Sequence, residues 1–297
     1  MHILVLGSAA GGGFPQWNCL CPVCQLAWAG DKRVKPRTQS SLAISSDGEN
    51  WLLLNASPDL REQILAQPKL HPRGAKRHSP IAGVFVTNGD VDHLTGLLTL
   101  REQWPFTLYG SKLTLALTSS SVFGVLNKQL VKSEPVQLET PVKVQDLTIT
   151  PFAVPGKVPL WLEEAQVEIG KEDGSTVGLE ITEGDKRFYY IPGCAEVTEK
   201  LRERIKGADL LFFDGTTFTD DEMLKLGLSQ KTAWRMGHTA MSGETGSMAR
   251  LADLGIGRKI YVHINNSNPV LIEDSPERRT VENAGWDVSY DGMEVTL

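Results

Sequence analysis

Short apolar runs alternate along the chain with segments whose apolar and polar residues are mixed as in helices. The runs are typical of buried strands, and Gly, Pro, Asn and Asp cluster between the segments, where turns are expected. Strands are predicted at residues 2–6, 40–45, 51–55, 81–86, 108–109, 145–152, 176–182, 187–191, 210–213, 258–262 and 293–297. Helices are predicted at residues 59–67, 97–103, 112–118, 121–128, 196–205, 244–253 and 276–283, whereas residues 161–173 fit neither pattern.

The strand predicted at residues 81–86 ends abruptly in the polar sequence NGDVDHLTG. Asp90, Asp92 and His93 therefore lie just beyond a buried strand and ahead of a helix. Carboxylates and imidazoles are hard to borderline metal ligands, and a strand end fixes their backbone without burying their side chains. The alternative is a capped turn, in which Asp92 caps the following helix and His93 binds nothing.

Two later strands end in the same kind of residue. Residues 210–213 lead into Asp214, and residues 258–262 lead into His263. Taken singly, Asp214 fits an Asx turn and His263 fits a structural histidine. Three strands that end in a possible ligand, in a chain with only six histidines, favour one metal site at the edge of the sheets.

Three cysteines lie close together in the CxCxxC sequence of Cys19, Cys21 and Cys24. Thiolates at this spacing converge on one tetrahedral zinc ion, which predicts a structural zinc site. The alternative is three buried thiols in a core. The fourth ligand is not evident from the sequence, and the candidates are Cys194, Asn266 and His238.

Composition narrows the classes of function. The chain has 297 residues, of which 41% are hydrophobic, so it can bury a full core in one domain or two. A net charge of -6 disfavours nucleic acid as a partner, and the absence of an apolar run of about 18 residues predicts no membrane span. The N-terminus lacks the basic region of a signal peptide, and the clustered cysteines do not suggest a disulfide framework. These features predict a reduced, cytoplasmic compartment.

The order of elements and motifs resembles the metallo-β-lactamase superfamily. The resemblance implies an α+β fold, an αββα sandwich of two mixed β-sheets flanked by helices, as a single domain over residues 1–297. The family signature HxHxDH aligns with Asn88, Asp90, Asp92 and His93, so its first two histidines are replaced, and a third histidine expected near residues 154–158 is missing. The resemblance thus implies that the first of two metal sites is lost.

The second metal site of the superfamily is retained in the sequence. Its bridging aspartate matches Asp214 and its last histidine matches His263, which join Asp92 and His93, with Asp90 as a further oxygen ligand. Two imidazoles and one carboxylate are also the ligand set of non-haem Fe(II) oxygenases. Fe(II) or another divalent metal is therefore expected.

A closer resemblance, to the family of coenzyme PQQ synthesis protein B, extends over essentially the whole chain. It rests on GSAAGGGFPQWNCLCPVC, LLNASPDLR, TNGDVDHLTGLL, FFDGTTF, MGHTAMSG and HINNSNP together. It implies a part in the biosynthesis of pyrroloquinoline quinone (PQQ), as an iron-dependent hydroxylase of the tyrosine ring in a Glu-Tyr-derived diamino acid. Two alternatives stay open: a carrier of PQQ or its precursor toward the periplasm, and a metal-dependent hydrolase or phosphodiesterase. Other PQQ-pathway proteins are possible partners.

Two residues are predicted to act on the substrate in such an enzyme. Asp214 is a base for the phenol or a fourth metal ligand, since a carboxylate beside a cation stays ionised. His238, in the sequence GHTAMSG, donates to a substrate carboxylate or to a bound oxygen species. His238 fits a purely structural role, with a hydrogen bond inside the protein, equally well.

Overall fold

Two seven-stranded β-sheets form the centre of the protein in a computed structural model that describes residues 1–119, 121–163 and 167–297. The strands of the first sheet are β1 (His2–Gly7), β2 (Ser41–Ser45), β3 (Trp51–Leu54), β4 (Ile81–Val86), β5 (Phe106–Ser111), β6 (Val131–Val136) and β14 (Glu294–Thr296). The strands of the second are β7 (Val142–Val144), β8 (Leu147–Ala153), β9 (Val177–Glu183), β10 (Lys186–Ile191), β11 (Leu210–Asp214), β12 (Arg258–Val262) and β13 (Trp286–Val288).

Both sheets are mixed and are built in the same way. The first has the order β14-β1-β2-β3-β4-β5-β6, and the second has the order β13-β12-β11-β10-β9-β8-β7. In each sheet, three pairings are antiparallel and three are parallel. Because parallel strands end at the same edge of a sheet, the loops that follow β4, β11 and β12 are available to build one site.

The helices are short and lie outside the sheets. They are α1 (Pro22–Trp28), α2 (Leu60–Ala66), α3 (Val91–Leu94), α4 (Lys112–Leu117), α5 (Glu199–Ile205), α6 (Glu222–Lys225), α7 (Ala233–Met236), α8 (Ser247–Arg250) and α9 (Pro276–Asn283). Several begin at a residue that caps them: the Ser275 side chain accepts from the Arg278 backbone nitrogen, with Pro276 in the first turn of α9. No helix in the described ranges is long and apolar enough to cross a membrane.

Alternating side chains divide each strand between two apolar clusters. In β2, Leu42 and Ile44 pack between the sheets, whereas Ala43 faces the helices outside the first sheet. In β11, Phe212 joins the central cluster and Phe213 joins the cluster beneath α5 and α9. The layers are thus helix, sheet, sheet and helix, which confirms the predicted α+β sandwich. That residues 1–297 form a single domain stays a proposal.

Several predicted elements differ from those observed. The strands β6, β7 and β13 were not predicted, because they are edge strands that lack an apolar run, and β6 exposes charged residues and carries a proline. The helix predicted at residues 97–103 is a 3-10 helix at Thr95–Arg101, and that at residues 121–128 is a 3-10 turn at Ser121–Val125. The helix predicted at residues 244–253 shrinks to α8, whereas α1 forms at residues for which no helix was predicted. Of the unassigned residues 161–173, the first two belong to a 3-10 turn at Leu160–Leu162, and 164–166 lie outside the described residues.

Candidate metal centre

The ends of three strands bring the predicted site residues to one place. β11 and β12 are parallel neighbours in register, so Asp214 at the end of one lies beside His263, which follows the other. β4 belongs to the facing sheet and leads into Thr87. Asn55 anchors that loop, because its side-chain oxygen accepts hydrogen bonds from the Thr87 backbone nitrogen (2.9 Å) and hydroxyl (3.1 Å).

Asp92, His93 and His263 meet in one group, with a ligand atom of each lying within 4.8 Å of the others. His263 Nε2 lies 3.0 Å, and His93 Nε2 3.7 Å, from the same oxygen of Asp92, Oδ2. His263 has a φ of 57°, a left-handed conformation that is uncommon outside glycine and is often found at functional sites. The structure thus brings together three residues predicted as ligands, and their metal-binding role stays a prediction.

The donor set of this group fits a divalent metal. His93 Nε2 is buried and has no hydrogen-bond partner among the residues that the structure describes. Such an atom is costly to bury, and an ion beside it would remove the cost. Burial lowers the pKa of His93 to about 4, so its ring is neutral at neutral pH. Burial would raise the pKa of Asp92, but His93 and His263 beside it hold that pKa well below its usual range, so the carboxylate is ionised.

Asp214 and His238 form a second group that also includes His263. The two oxygens of Asp214 accept hydrogen bonds from the backbone nitrogens of Cys194 (3.0 Å) and Thr216 (3.1 Å), the Thr216 hydroxyl (2.7 Å) and His238 Nδ1 (2.8 Å). The His238 ring stacks on that of His263 with a centroid distance of 5.1 Å. Four hydrogen bonds occupy the carboxylate. The geometry therefore favours a role of Asp214 in holding His238 over a role as a metal ligand.

Asp90 lies outside both groups. Its Oδ2 accepts from Asn88 Nδ2 at 2.9 Å, and its Oδ1 faces the Leu160 backbone nitrogen at 3.4 Å. Burial, and then the charge of Asp92, raise the pKa of Asp90. The carboxylate of Asp90 is thus held by Asn88 and the loop after β8, and its role as a further metal ligand stays a prediction.

The three cysteines of the CxCxxC sequence also converge. Cys19, Cys21 and Cys24 place their sulfur atoms within 4.8 Å of one another, at the start of α1. The backbone nitrogen of Cys21 donates to Cys19 Sγ (3.3 Å), and that of Cys24 donates to Cys21 Sγ (3.4 Å). Burial raises the pKa of Cys21 to about 12, so this thiol stays protonated until a metal displaces its proton.

Asn266 is the only one of the three candidates for the fourth ligand that the structure places at the cysteines. Its Nδ2 lies 3.2 Å from Cys19 Sγ and 3.3 Å from Cys24 Sγ. Rotating the amide by half a turn would put the side-chain oxygen there, and the two orientations are assigned by their contacts. Cys194 instead donates to the Glu196 carbonyl at 3.1 Å, and His238 is held by Asp214.

Comparisons with known proteins agree with this geometry. The model of the Beta-lactamase superfamily domain matches residues 50–264. A protein of Methylorubrum extorquens (strain PA1), Coenzyme PQQ synthesis protein B, is 61% identical over 299 residues, which cover 100% of both chains. The chain belongs to the coenzyme PQQ synthesis protein B family, within the β-lactamase superfamily.

Two solved structures resemble the chain to different degrees. The crystal structure of Zn²⁺-bound PqqB from Methylobacterium extorquens is 60% identical, covers 100% of both chains and superposes with a TM-score of 0.98. A diphosphatase of the PhnP family is 20% identical, with 99% of this chain and 96% of that chain covered and a TM-score of 0.67. The second likeness shows the fold alone.

This PqqB family member has a cavity of about 530 Å³ beside the metal centre. Its lining includes His238, the exposed Trp234, and the charged residues Glu196, Glu244 and Arg250. Sites for small organic ligands have volumes of about 300–1,000 Å³ and combine an apolar or aromatic wall with a few polar groups. The cavity thus has the size and lining for a small charged substrate, and His238 connects it to the metal centre.

Two residues that contribute to the site could not be predicted from the sequence. Thr216 lies in the sequence FFDGTTF, but its hydroxyl lies within 3.1 Å of Asp214, His238 and His263 only because three segments meet. Glu222 is buried, and its two oxygens accept from Ser267 Oγ (2.6 Å) and the Phe218 backbone nitrogen (2.7 Å). Glu222 thereby fixes the loop that carries His263 and Asn266.

Glu222 gives the stability of the protein a predictable pH dependence. Burial raises its pKa from 4.5 to about 7, so the folded protein keeps a proton that the unfolded chain has lost between these values. The contribution of this group to the free energy of unfolding therefore falls as pH rises, by up to about 3 kcal/mol in all.

In Glu222→Gln, whose amide can still accept from Phe218 and donate to Ser267, this contribution disappears. Chemical unfolding of wild type and E222Q across this pH range, with zinc saturating, measures the difference, and the exposed Glu62→Gln is the control. Parallel curves for wild type and E222Q would contradict the prediction.

Proposed function

We propose that this protein acts in PQQ biosynthesis as a metal-dependent enzyme, with Fe(II) as the active-site ion, that hydroxylates the tyrosine ring of a Glu-Tyr-derived diamino acid. Membership of the PqqB family supports the pathway, and the donor set supports the type of reaction. The observation that carries most weight is that His93 Nε2, which lies in one group with Asp92 and His263, is buried and has no hydrogen-bond partner among the described residues. Two imidazoles and one carboxylate hold iron in non-haem oxygenases.

Asp92, His93 and His263 would hold the ion. A bound ferrous ion would activate dioxygen, which does not react with a phenol ring unaided. We propose that Cys19, Cys21 and Cys24 hold a separate structural zinc, in line with the Zn²⁺-bound relative. This zinc requires unoxidised thiols, which a reducing cytoplasm provides.

His238 is the group best placed to move a proton of the substrate. Its Nδ1 lies 2.8 Å from Asp214, and because a carboxylate only accepts, Nδ1 carries the proton. Nε2 of the neutral ring is then the accepting atom of a residue that lines the cavity. We propose that His238 takes the phenolic proton and that Asp214 stabilises the resulting imidazolium, as in other carboxylate–histidine pairs.

The cavity beside His238 would receive the amino-acid groups of the substrate. Arg250 is suited to a carboxylate, and Glu196 and Glu244 are suited to an ammonium group. Trp234 offers an indole face against which an aromatic ring or an ammonium group can lie. This placement orients the phenol toward His238.

Reconstitution tests the proposal. The metal-free protein is loaded anaerobically with Fe(II) and mixed with the Glu-Tyr diamino acid, ascorbate and oxygen. A ring C–H bond is replaced by C–O–H with one atom of O₂, and the other atom leaves as water with two electrons from ascorbate. We expect mass spectrometry to show a product that is heavier by one oxygen atom and carries the label from ¹⁸O₂. No product above the metal-free control would contradict the proposal.

Two further assays, of PQQ binding and of phosphodiester turnover, test the alternative functions. Tight binding of PQQ with no change in any precursor would favour a carrier. Turnover of a phosphodiester by protein with two active-site metals would favour a hydrolase.

His238→Gln should retain iron but lose most of the hydroxylation, by about 100-fold or more, because general-base catalysis contributes about that much.

A further inference from the structure

Each of the two histidines at the metal centre presents one ring nitrogen to the ligand group and the other to a neutral side chain. His93 Nδ1 lies 2.6 Å from Asn88 Oδ1, and His263 Nδ1 lies 2.9 Å from Thr216 Oγ1. A neutral imidazole carries one proton, and only the nitrogen without it can bind a metal. The partner of Nδ1 therefore decides whether Nε2 is a ligand.

Asn88 can only accept a hydrogen bond from His93. Its Nδ2 donates to Asp90 Oδ2 at 2.9 Å, and a carboxylate has no proton to give in return. Its Oδ1 also accepts from the Asp90 backbone nitrogen at 3.1 Å, which fixes the same orientation of the amide. The oxygen that faces His93 is thus an acceptor, and the proton of His93 must be on Nδ1.

Thr216 is held in the same sense toward His263. Its hydroxyl has one proton, which goes to Asp214 Oδ1 at 2.7 Å or to the His263 carbonyl at 3.1 Å. Both of these are acceptors only, so a lone pair of the hydroxyl faces His263 Nδ1. Nε2 of His263 lies 3.0 Å from Asp92 Oδ2, and a metal ion in that group would displace any proton on Nε2, so the hydroxyl is placed to accept from the proton that stays on Nδ1.

We propose that Asn88 and Thr216 are positioning residues: Asn88 keeps the proton of His93 on Nδ1, and Thr216 accepts from Nδ1 of His263, so that both Nε2 atoms can serve as metal ligands. Both side chains are buried within hydrogen-bonding networks, at 7% and 4% exposure. The inference rests on the proposed metal site. It adds that the affinity of this site depends on one amide oxygen and one hydroxyl that touch no metal.

Substitutions that remove only the hydrogen bond test the inference. Thr216→Val keeps the shape and lacks the hydroxyl, Thr216→Ser restores the hydroxyl, and Asn88→Leu removes the amide. The control is Thr217→Val, because Thr217 is the next residue, equally buried, and its hydroxyl has no partner among the described residues. We expect T216V and N88L to bind Co²⁺ at the active site about 10- to 100-fold more weakly, T216S to recover most of the affinity and T217V to match wild type.

Two-bond ¹H–¹⁵N spectra of the metal-free protein in alkaline buffer read the tautomers directly. We expect the Nδ1–H form for His93 in wild type and in T216V, with mixed tautomers for His93 in N88L. Thermal unfolding of the metal-free variants checks that each is folded. Wild-type spectra with the Nε2–H form of His93, or T216V with unchanged metal affinity, would overturn the inference. Because neither readout needs turnover, failure of the hydroxylation assay with the expected spectra would count against the proposed function alone.

Discussion

Replacing His93 with alanine is expected to leave the protein with metal at the cysteine group alone. The active-site group then consists of Asp92 and His263, and two ligands cannot hold a divalent ion as three do. Loss of a partner that only orients a ligand costs about 10- to 100-fold in affinity, so loss of the ligand itself should exceed about 100-fold. Elemental analysis after dialysis against limiting metal measures the result.

The matched control for this prediction is His2→Ala. His2 is exposed at the start of β1, whereas the segment that pairs with Ile264 follows the other end of that strand, so loss of His2 should leave both metals in place. Hydroxylation should fall to the metal-free level in H93A and stay at the wild-type level in H2A. H93A that keeps two metals and full activity would refute the assignment of His93.

Much of the metal centre could be predicted because its parts are local in the sequence. The apolar runs before Asp92, Asp214 and His263 form strands for simple reasons of burial, and each run ends where a polar residue appears. The parallel pairing of β11 and β12 then aligns two of those ends. The CxCxxC spacing is local in the same way, so the convergence of its three sulfur atoms needed no knowledge of the fold.

The remaining features depend on contacts between distant segments, which no local pattern encodes. Thr216 acts on His263 across 47 positions, and Asn266 meets Cys19 across 247. Asp214 was expected to touch the metal or the substrate, but only the folded chain shows that its four lone-pair positions are occupied. Edge strands such as β7 and β13 escaped prediction for a related reason, because their pairing depends on a neighbour and not on a run of apolar residues.

Replacing Cys19 with alanine is expected to cause the largest loss of stability. A zinc ion that binds the folded chain at 1,000 times its dissociation constant stabilises it by about 4 kcal/mol, and C19A loses this contribution. For a chain of this length the melting temperature should fall by about 10 °C. Cys19 is chosen because Cys21 also caps α1 and its loss would destabilise that helix directly. Scanning calorimetry with and without a chelator measures the melting temperature of each protein and the part of it that depends on bound metal.

Cys194→Ala separates the loss of zinc from the loss of a buried thiol. Cys194 is fully buried but lies away from the cysteine group, so its variant should still lose stability when chelator is added, as wild type does. C19A should respond to chelator less than wild type does, because only the active-site metal is left to remove. Because Asn266 and His263 share one short loop, C19A should also bind the active-site metal more weakly, whereas H93A should leave the cysteine site unchanged. A chelator response in C19A equal to that of wild type would show that the three cysteines do not hold the zinc.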